Sequence, residues 1–240
     1  MVTGLYNIFN KLWGMQTIWL YSDPHFGETE EESGLINKPT DAEQVQRINS
    51  KVGRKDTIIF LGDIGDPSWL KGIRGYKVLI TGNHDTGISN YQRVRFQRSF
   101  DADELQKDEV YLKMKQEYPD HCITVEKFYD FRRPYVKWVA TMDNQLCDEV
   151  YNGPLIIGPK LILSHEPIIG LNWAMNLHGH THNALQEISD YHFNCCSDKI
   201  NYIPINLNRL LKNGLVSQID SIHRQTIDKA TFRKNNINCT

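Results

Sequence analysis

Residues 57–66 read TIIFLGDIGD, an apolar β-branched run followed by a glycine and two aspartates three positions apart. A short continuous apolar run of this kind is typical of a strand that is buried on both faces of a sheet. Gly62 permits a tight turn that would strain a residue with a Cβ, so Asp63 is expected to point into the space beyond the strand. The two oxygens of its carboxylate could bridge two cations there, although a lone Gly-Asp pair can equally be a simple turn.

Three further apolar runs also end in polar residues, at 17–22, 77–81 and 160–164. Between the first of these runs and residues 57–61 the spacing predicts a helix. Thr40 and Glu43 are spaced as in a capping box, and apolar residues follow at helical intervals. Strand, helix and strand in this order predict a βαβ unit. In open α/β sheets, ligands bind beyond the carboxyl ends of the strands, where these polar residues lie.

Each polar segment alone also has an ordinary structural explanation. Asp23-Pro24-His25 could be a turn, Asn83 could form an Asx-type turn, and His165 could be a structural histidine. Residues 178–182, HGHTH, give the strongest metal signal, because imidazoles two positions apart project to the same side of an extended chain. His178 is expected to be structural or to support a ligand. Turns do not explain all five segments together, and we therefore expect one metal site.

In chain order the segments are D-x-H at 23–25, G-D-x-x-D at 62–66, G-N-H-D at 82–85, S-H-E-P at 164–167 and G-H-T-H at 179–182. This set resembles the calcineurin-like metallophosphoesterase superfamily. The opening S-D-x-H-F-G and the S-H-E-P segment are similar to small bacterial or phage-type members. The resemblance implies an α/β fold, a metallophosphoesterase-type β-sandwich of two mixed sheets flanked by helices.

The resemblance also implies metal ligands and catalytic residues. The implied ligands are Asp23, His25 and His182 for a first metal, Asn83, His165 and His180 for a second metal, and Asp63 as the bridge. His84 matches the family's catalytic histidine, Asp66 matches the carboxylate that orients it, and Asp85 is expected to anchor the loop. The expected cofactor is two divalent metal ions, with manganese first and Fe, Zn, Co or Ni as alternatives, since a histidine-rich set suits these better than Mg or Ca.

The implied activity is that of a hydrolase, a phosphodiesterase or phosphomonoesterase that acts through metal-bound hydroxide. The expected substrate is a phosphorylated small molecule or a nucleotide. One alternative is a metal-dependent nuclease, for which arginines could line a groove, although acids nearly balance bases in that region. The arginines in question are Arg93, Arg95, Arg98, Arg132 and Arg133. A second alternative is a non-catalytic scaffold that binds partners; such relatives usually lose ligands, whereas the full set is present here.

The length of 240 residues suits one metallophosphoesterase domain over 1–240, with an insertion at about 91–150. The insertion is rich in charged and aromatic residues, and we expect it to be mostly helical, as a cap over the site or as a peripheral layer. Elsewhere the sequence predicts a hairpin that turns near 158–159, strands at 191–196 and 200–205, and helices at 206–212 and 221–234 that are separated by Gly214.

Composition limits the partners and the compartment. A net charge of −2, with 40% hydrophobic and 23% charged residues, gives no bulk attraction to nucleic acid or anionic membrane. No stretch approaches the ~20 apolar residues of a membrane helix, although an apolar stripe in residues 1–14 could contact a membrane or a partner or pack on its own domain. Five scattered cysteines indicate a reducing compartment, and we expect a cytoplasmic protein. The sequence indicates no oligomeric state.

Overall fold

The computed structural model describes residues 16–85, 91, 94–100, 112, 123–129, 136–142, 145–158, 160–184 and 188–219. The chain divides into two compact units, one formed by Met1–Asp85 and Cys147–Thr240 and the other by Thr86–Leu146. The second unit nearly coincides in sequence with the insertion expected at 91–150. The predicted helix at 221–234 and the apolar stripe in residues 1–14 lie outside the described residues.

The described elements are short, and most of them are strands. In chain order the strands are β1 (Ile18–Tyr21), β2 (Thr57–Phe60), β3 (Tyr76–Ile80), β4 (Val94–Phe100), β5 (Ile123–Tyr129), β6 (Val136–Met142), β7 (Glu149–Tyr151), β8 (Leu155–Gly158), β9 (Leu161–Leu163), β10 (Met175–His178), β11 (His192–Asn194) and β12 (Ile205–Asn206). The helices are α1 (Glu30–Ser33), α2 (Asp41–Lys51) and α3 (Leu207–Lys212), with a 3₁₀ helix at Pro67–Gly72. None of the helices in the described ranges is long and apolar enough to cross a membrane.

The first unit contains two mixed sheets. One sheet has the order β12-β1-β2-β3-β7, with β12 antiparallel and the other strands parallel. The other sheet has the order β11-β10-β9-β8, with β8 antiparallel to β9. Side chains alternate along a strand, so every second residue faces the same side of its sheet. On these inner faces, Leu20 and Ile59 of the first sheet share one apolar core with Leu163 and Leu177 of the second. The expectation of an α/β fold with two mixed sheets and a few helices is confirmed.

The predicted βαβ unit is present and supports the loop after β1. Strands β1 and β2 are parallel neighbours, and α2 lies between them in the sequence. The predicted capping box is formed, because Thr40 accepts from the N–H of Glu43 and Glu43 accepts from the N–H of Thr40. On the buried face of α2, Gln44 accepts from the Tyr21 hydroxyl and donates to the carbonyl of Pro24. The helix thereby holds the polar loop that leaves β1.

The shorter strands and helices of the first unit agree with the elements predicted from the sequence, except at residues 200–205. The predicted hairpin is the antiparallel pair β8–β9, the strand expected at 191–196 is β11, and the helix expected at 206–212 is α3. The strand predicted at 200–205 is wrong for most of its length. Asn201 and Tyr202 have φ of 54° and 57° in a turn, which an extended strand cannot accommodate, and β12 begins only at Ile205.

The second unit is not mostly helical where the structure describes it. Strands β4, β5 and β6 form an antiparallel sheet in the order β4-β6-β5. The helical prediction is therefore wrong for these residues. From Val136 to Met142 apolar residues recur at every second position, which is the period of a strand rather than of a helix. The helical prediction relied on the charged and aromatic composition of the region and not on this alternation.

Candidate metal centre

Polar residues beyond the carboxyl ends of five strands come together in the first unit. Asp23, His25 and His182 form one group and Asp63, His165 and His180 another, and within each group the potential ligand atoms lie within 4.8 Å of one another. Oδ1 of Asn83 joins the second group, 2.8 Å from Nε2 of His165 and 3.1 Å from Nδ1 of His180. All the ligands expected from the sequence are thus brought together, in the expected division into two groups. Each of the groups could hold a metal ion.

The atoms of the second group are spaced as ligands of one cation would be. Nε2 of His165 lies 3.2 Å from Nδ1 of His180 and 3.4 Å from Oδ2 of Asp63. Ligand atoms about 2.0–2.2 Å from a shared cation lie roughly 3 Å from each other. Nδ1 of His165 donates to the carbonyl of Leu61 at 2.8 Å, so Nε2 is the ring nitrogen that faces the group.

In the first group two buried nitrogen atoms, Nε2 of His25 and Nδ1 of His182, have no hydrogen-bond partner among the residues that the structure describes. Buried polar atoms are nearly always paired, because leaving one without a partner costs about 1–3 kcal/mol. The other ring nitrogen of His25, Nδ1, lies 2.9 Å from Oε2 of Glu28. Each of these imidazoles therefore has a nitrogen atom near Asp23 that could bind a cation.

Asp63 lies between the two groups. Its Oδ2 is 3.9 Å from Nε2 of His25 and 3.4 Å from Nε2 of His165, whereas its Oδ1 accepts from the N–H of His84 at 3.0 Å. The oxygen placed to bridge is therefore Oδ2 alone, and not both oxygens together. Burial raises the pKa of Asp63, but hydrogen bonds from His165 and from the N–H of His84 outweigh burial and hold the pKa below its usual value.

Backbone strain is concentrated at this site. Several of the ligand residues have φ between +45° and +67°, a region that side chains with a Cβ rarely adopt. These residues are Asp23, His25, Asp63, His180 and His182. Each such residue costs on the order of 1–3 kcal/mol, and such strain clusters at functional sites. Such strain is typical of loops that bind a ligand.

Glycines let the loops pack closely against each other. Gly62 has a φ of +95°, as its predicted tight turn requires, and a Cβ there would lie 2.5 Å from Nδ1 of His165. A Cβ on Gly179 would collide with the side chains of Ser22 and Asp23. The glycines of these motifs are therefore needed for the approach of one ligand loop to another.

His84 is exposed beside the metal groups, and its ring centroid lies 5.8 Å from that of His25. The contact predicted between His84 and Asp66 is not formed. Oδ1 and Oδ2 of Asp66 instead accept from the backbone N–H and the hydroxyl of Ser68, at 2.9 and 2.8 Å. Pro67 begins a 3₁₀ helix at this point, and Asp66 serves as its N-cap.

Asp85 anchors the loop as predicted. Its carboxylate accepts from the backbone N–H groups of Gly82, Asp63 and Ile64, at 2.8, 2.9 and 3.0 Å.

His178, the additional histidine, is fully buried and its Nδ1 lies 2.8 Å from the carbonyl of Gly179. It belongs to neither of the two metal groups and supports the backbone next to His180.

Two contacts to the first group were missed from the sequence. Glu28 binds His25, and Sγ of Cys196 donates to Oδ2 of Asp23 at 3.2 Å. Burial, followed by the charge of Asp23, raises the pKa of the Cys196 thiol far above its usual value and keeps it protonated. The neighbouring Cys195 belongs to the apolar core instead.

A surface pocket of about 330 Å³ adjoins the second group. Asn83 and His165 form part of its wall, and the other lining residues are Thr81, Gly82, Gly153, Pro154, Ser164, Glu166, Pro167 and Ile168. The pocket leaves room beside the second group for a small organic substituent.

No family model and no curated protein matches the chain. Among solved structures, the crystal structure of a protein of unknown function from Aquifex aeolicus is similar over 82% of this chain and 99% of that chain, with 18% sequence identity and a TM-score of 0.48. A likeness this weak carries no information about activity.

Proposed function

We propose that the protein is a calcineurin-like metallophosphoesterase that hydrolyses a phosphoester with two divalent metal ions, manganese being the first expectation. The observation that carries this proposal is the pair of buried nitrogens without partners, on His25 and His182, within the assembled ligand set. Imidazole, carboxylate and amide donors together suit Mn, Fe, Zn, Co or Ni. We also propose that the two mixed sheets form a metallophosphoesterase-type sandwich.

The charge of the ligand set favours an anionic substrate. Asp23 and Asp63 are the carboxylates of the set, and the other ligands are neutral when they bind metal. Two divalent cations held by this set would leave the centre net positive, which attracts a phosphoryl group. Bound cations would also polarise phosphoryl oxygens and lower the pKa of a nucleophilic water.

The protein's own groups can complete the reaction. His84 is exposed at the edge of the two groups while its backbone N–H is fixed on Asp63, so its imidazole can reach a bound substrate. A protonated imidazole there would stabilise charge on the phosphoryl group and donate a proton to the leaving oxygen. The pocket beside Asn83 and His165 would receive the organic part of a small phosphoester.

The test is a metal-dependent substrate panel. Chelator-treated protein is supplied with Mn²⁺ and assayed on p-nitrophenyl phosphate, bis(p-nitrophenyl) phosphate, cyclic nucleotides, and single- and double-stranded DNA. We expect Mn²⁺-dependent hydrolysis of at least one small ester. Cleavage of DNA alone would assign a nuclease instead.

Asp63→Asn is the matched inactive variant, because it removes the bridging charge while it keeps the shape of the side chain. We expect it to lose metal and activity together. Asp190→Asn, the same change at an exposed position, is the control and should keep both. A wild-type protein that binds two Mn²⁺ ions and hydrolyses none of the substrates would refute the proposed activity.

A further inference from the structure

Residues 194–197, the end of β11 and the segment after it, bind both loops that supply the first metal group. Nδ2 of Asn194 donates to the carbonyl of His182 at 2.7 Å. Oγ of Ser197 donates to the carbonyl of Asp23 at 2.7 Å. Two ligands that are far apart in sequence are thus connected through a third segment that contributes no ligand itself.

Cys196 lies in the middle of this segment and contacts both ligands directly. Its Sγ accepts from the backbone N–H of His182 at 3.1 Å and donates to Oδ2 of Asp23 at 3.2 Å. The N–H of His180 also approaches Oδ2 more closely than Oδ1, at 3.0 and 3.2 Å. Oδ1 thus accepts one hydrogen bond fewer than Oδ2 and has more capacity left for a cation.

We infer that Cys196 is a positioning residue of the metal centre, whose thiol fixes the Asp23 carboxylate and the His182 backbone so that the first cation binds tightly. This inference rests on the metal centre of the proposed function. An independent sign of a ligand at the same place is Nε2 of His25, which belongs to a side chain only 4% exposed and has no hydrogen-bond partner in the described part of the chain.

The neighbouring Cys195 provides a matched control. Both cysteines are fully buried, but Cys195 belongs to the apolar core between the two sheets. Replacing either cysteine by alanine removes one buried sulfur atom, so the two variants share a cavity cost. The loss of a contact to Asp23 and His182 is specific to Cys196→Ala.

The experiment measures Mn²⁺ affinity by isothermal titration of the chelator-treated full chain. An Asn83→Ala background weakens the second group and leaves the first complete. In that background we expect Cys196→Ala to lower the affinity about 10–100-fold, as loss of a partner behind a metal ligand typically does. Cys196→Ser keeps a donor and an acceptor and should restore most of the affinity, whereas Cys195→Ala should leave it unchanged.

Two results would overturn the role of Cys196: an unchanged affinity in Cys196→Ala, or an equal loss in Cys195→Ala. The proposed activity fails separately. A protein that binds Mn²⁺ but hydrolyses no phosphoester refutes the activity, while the affinities still decide the role of Cys196. A wild-type chain that binds no Mn²⁺ refutes both.

Discussion

Oε2 of Glu28 lies 2.9 Å from Nδ1 of His25, so the nitrogen that His25 presents to the first metal group is Nε2. A carboxylate in this place fixes the tautomer and the orientation of the ring and makes Nε2 more basic. The carbonyl of Leu61 does the same for His165 in the second group. In each group one histidine is therefore oriented by an acceptor at the ring nitrogen that faces away from the group. The acceptor is a charged carboxylate for His25 and a neutral carbonyl for His165.

Glu28→Ala should weaken Mn²⁺ binding at the first group about 10–100-fold, because His25 loses the acceptor that orients it. Glu28→Gln keeps a neutral acceptor and should lose less. Titration calorimetry on chelator-treated protein measures both effects. Glu31→Ala, at a neighbouring exposed glutamate of α1, is the control. Equal affinities in Glu28→Ala and the wild type would contradict the prediction.

His84→Ala should keep both metal ions and lower kcat about 10²–10⁴-fold, the usual range for the loss of a general acid or base. The reason is that His84 binds Asp63 through its backbone N–H, which alanine keeps, while its ring is exposed beside that of His25. Metal content by atomic emission and steady-state kinetics separate the two effects. Loss of metal in this variant would place His84 among the ligands instead.

Asp66→Ala should leave kcat unchanged and destabilise the protein by about 0.5–2 kcal/mol, because the carboxylate caps the 3₁₀ helix through Ser68. Urea denaturation and kinetics on the same preparation test both halves of this prediction. Asp66→Asn, which can still cap, should recover most of the stability. A fall in kcat like that of His84→Ala would show that Asp66 orients His84 after all.

Removal of metal should lower the melting temperature, and Mn²⁺ should restore it. A bound cation would stabilise the strained ligand loops and would give the buried nitrogens of His25 and His182 a partner. At a free metal concentration 100 times Kd, each site adds about 2.7 kcal/mol. Thermal melts with EDTA and with added Mn²⁺ measure this, and Asp63→Asn should respond much less. A melting temperature that neither additive changes would argue against a metal site.

The positions of the candidate ligands at strand ends could be predicted because their segments carry local signals, whereas their division between two metals came from the family resemblance. A glycine and a polar residue after an apolar run place Asp63 at a strand end, and HGHTH brings two imidazoles together within five residues. The same reasoning failed at Asp66, where Pro67 gave the better signal, the start of a helix that needs an N-cap. For the role of Asp66, the G-D-x-x-D spacing that resembles the family was therefore less informative than the adjacent Pro67.

The contacts behind the ligands could not be predicted. Cys196 meets Asp23 through a parallel bridge between Ser22 and Cys196 that only the folded sheets create. Glu28 is close to His25 in sequence, but nothing distinguishes it from the neighbouring exposed glutamates. Strand β6 of the second unit has apolar residues at every second position, but the many charged residues of the surrounding sequence made this pattern hard to detect.

The carboxylate of Asp85 holds the backbone N–H groups of Gly82, Asp63 and Ile64 at once. The loop after β2 and the loop after β3 are thereby joined into one hydrogen-bonded body. Because these hydrogen bonds couple the two loops, we expect the distance from Asp63 to Asn83 to vary less than the position of each residue. Exchange of one metal for another of different radius should then alter bond angles at the site more than the separation of these two ligands.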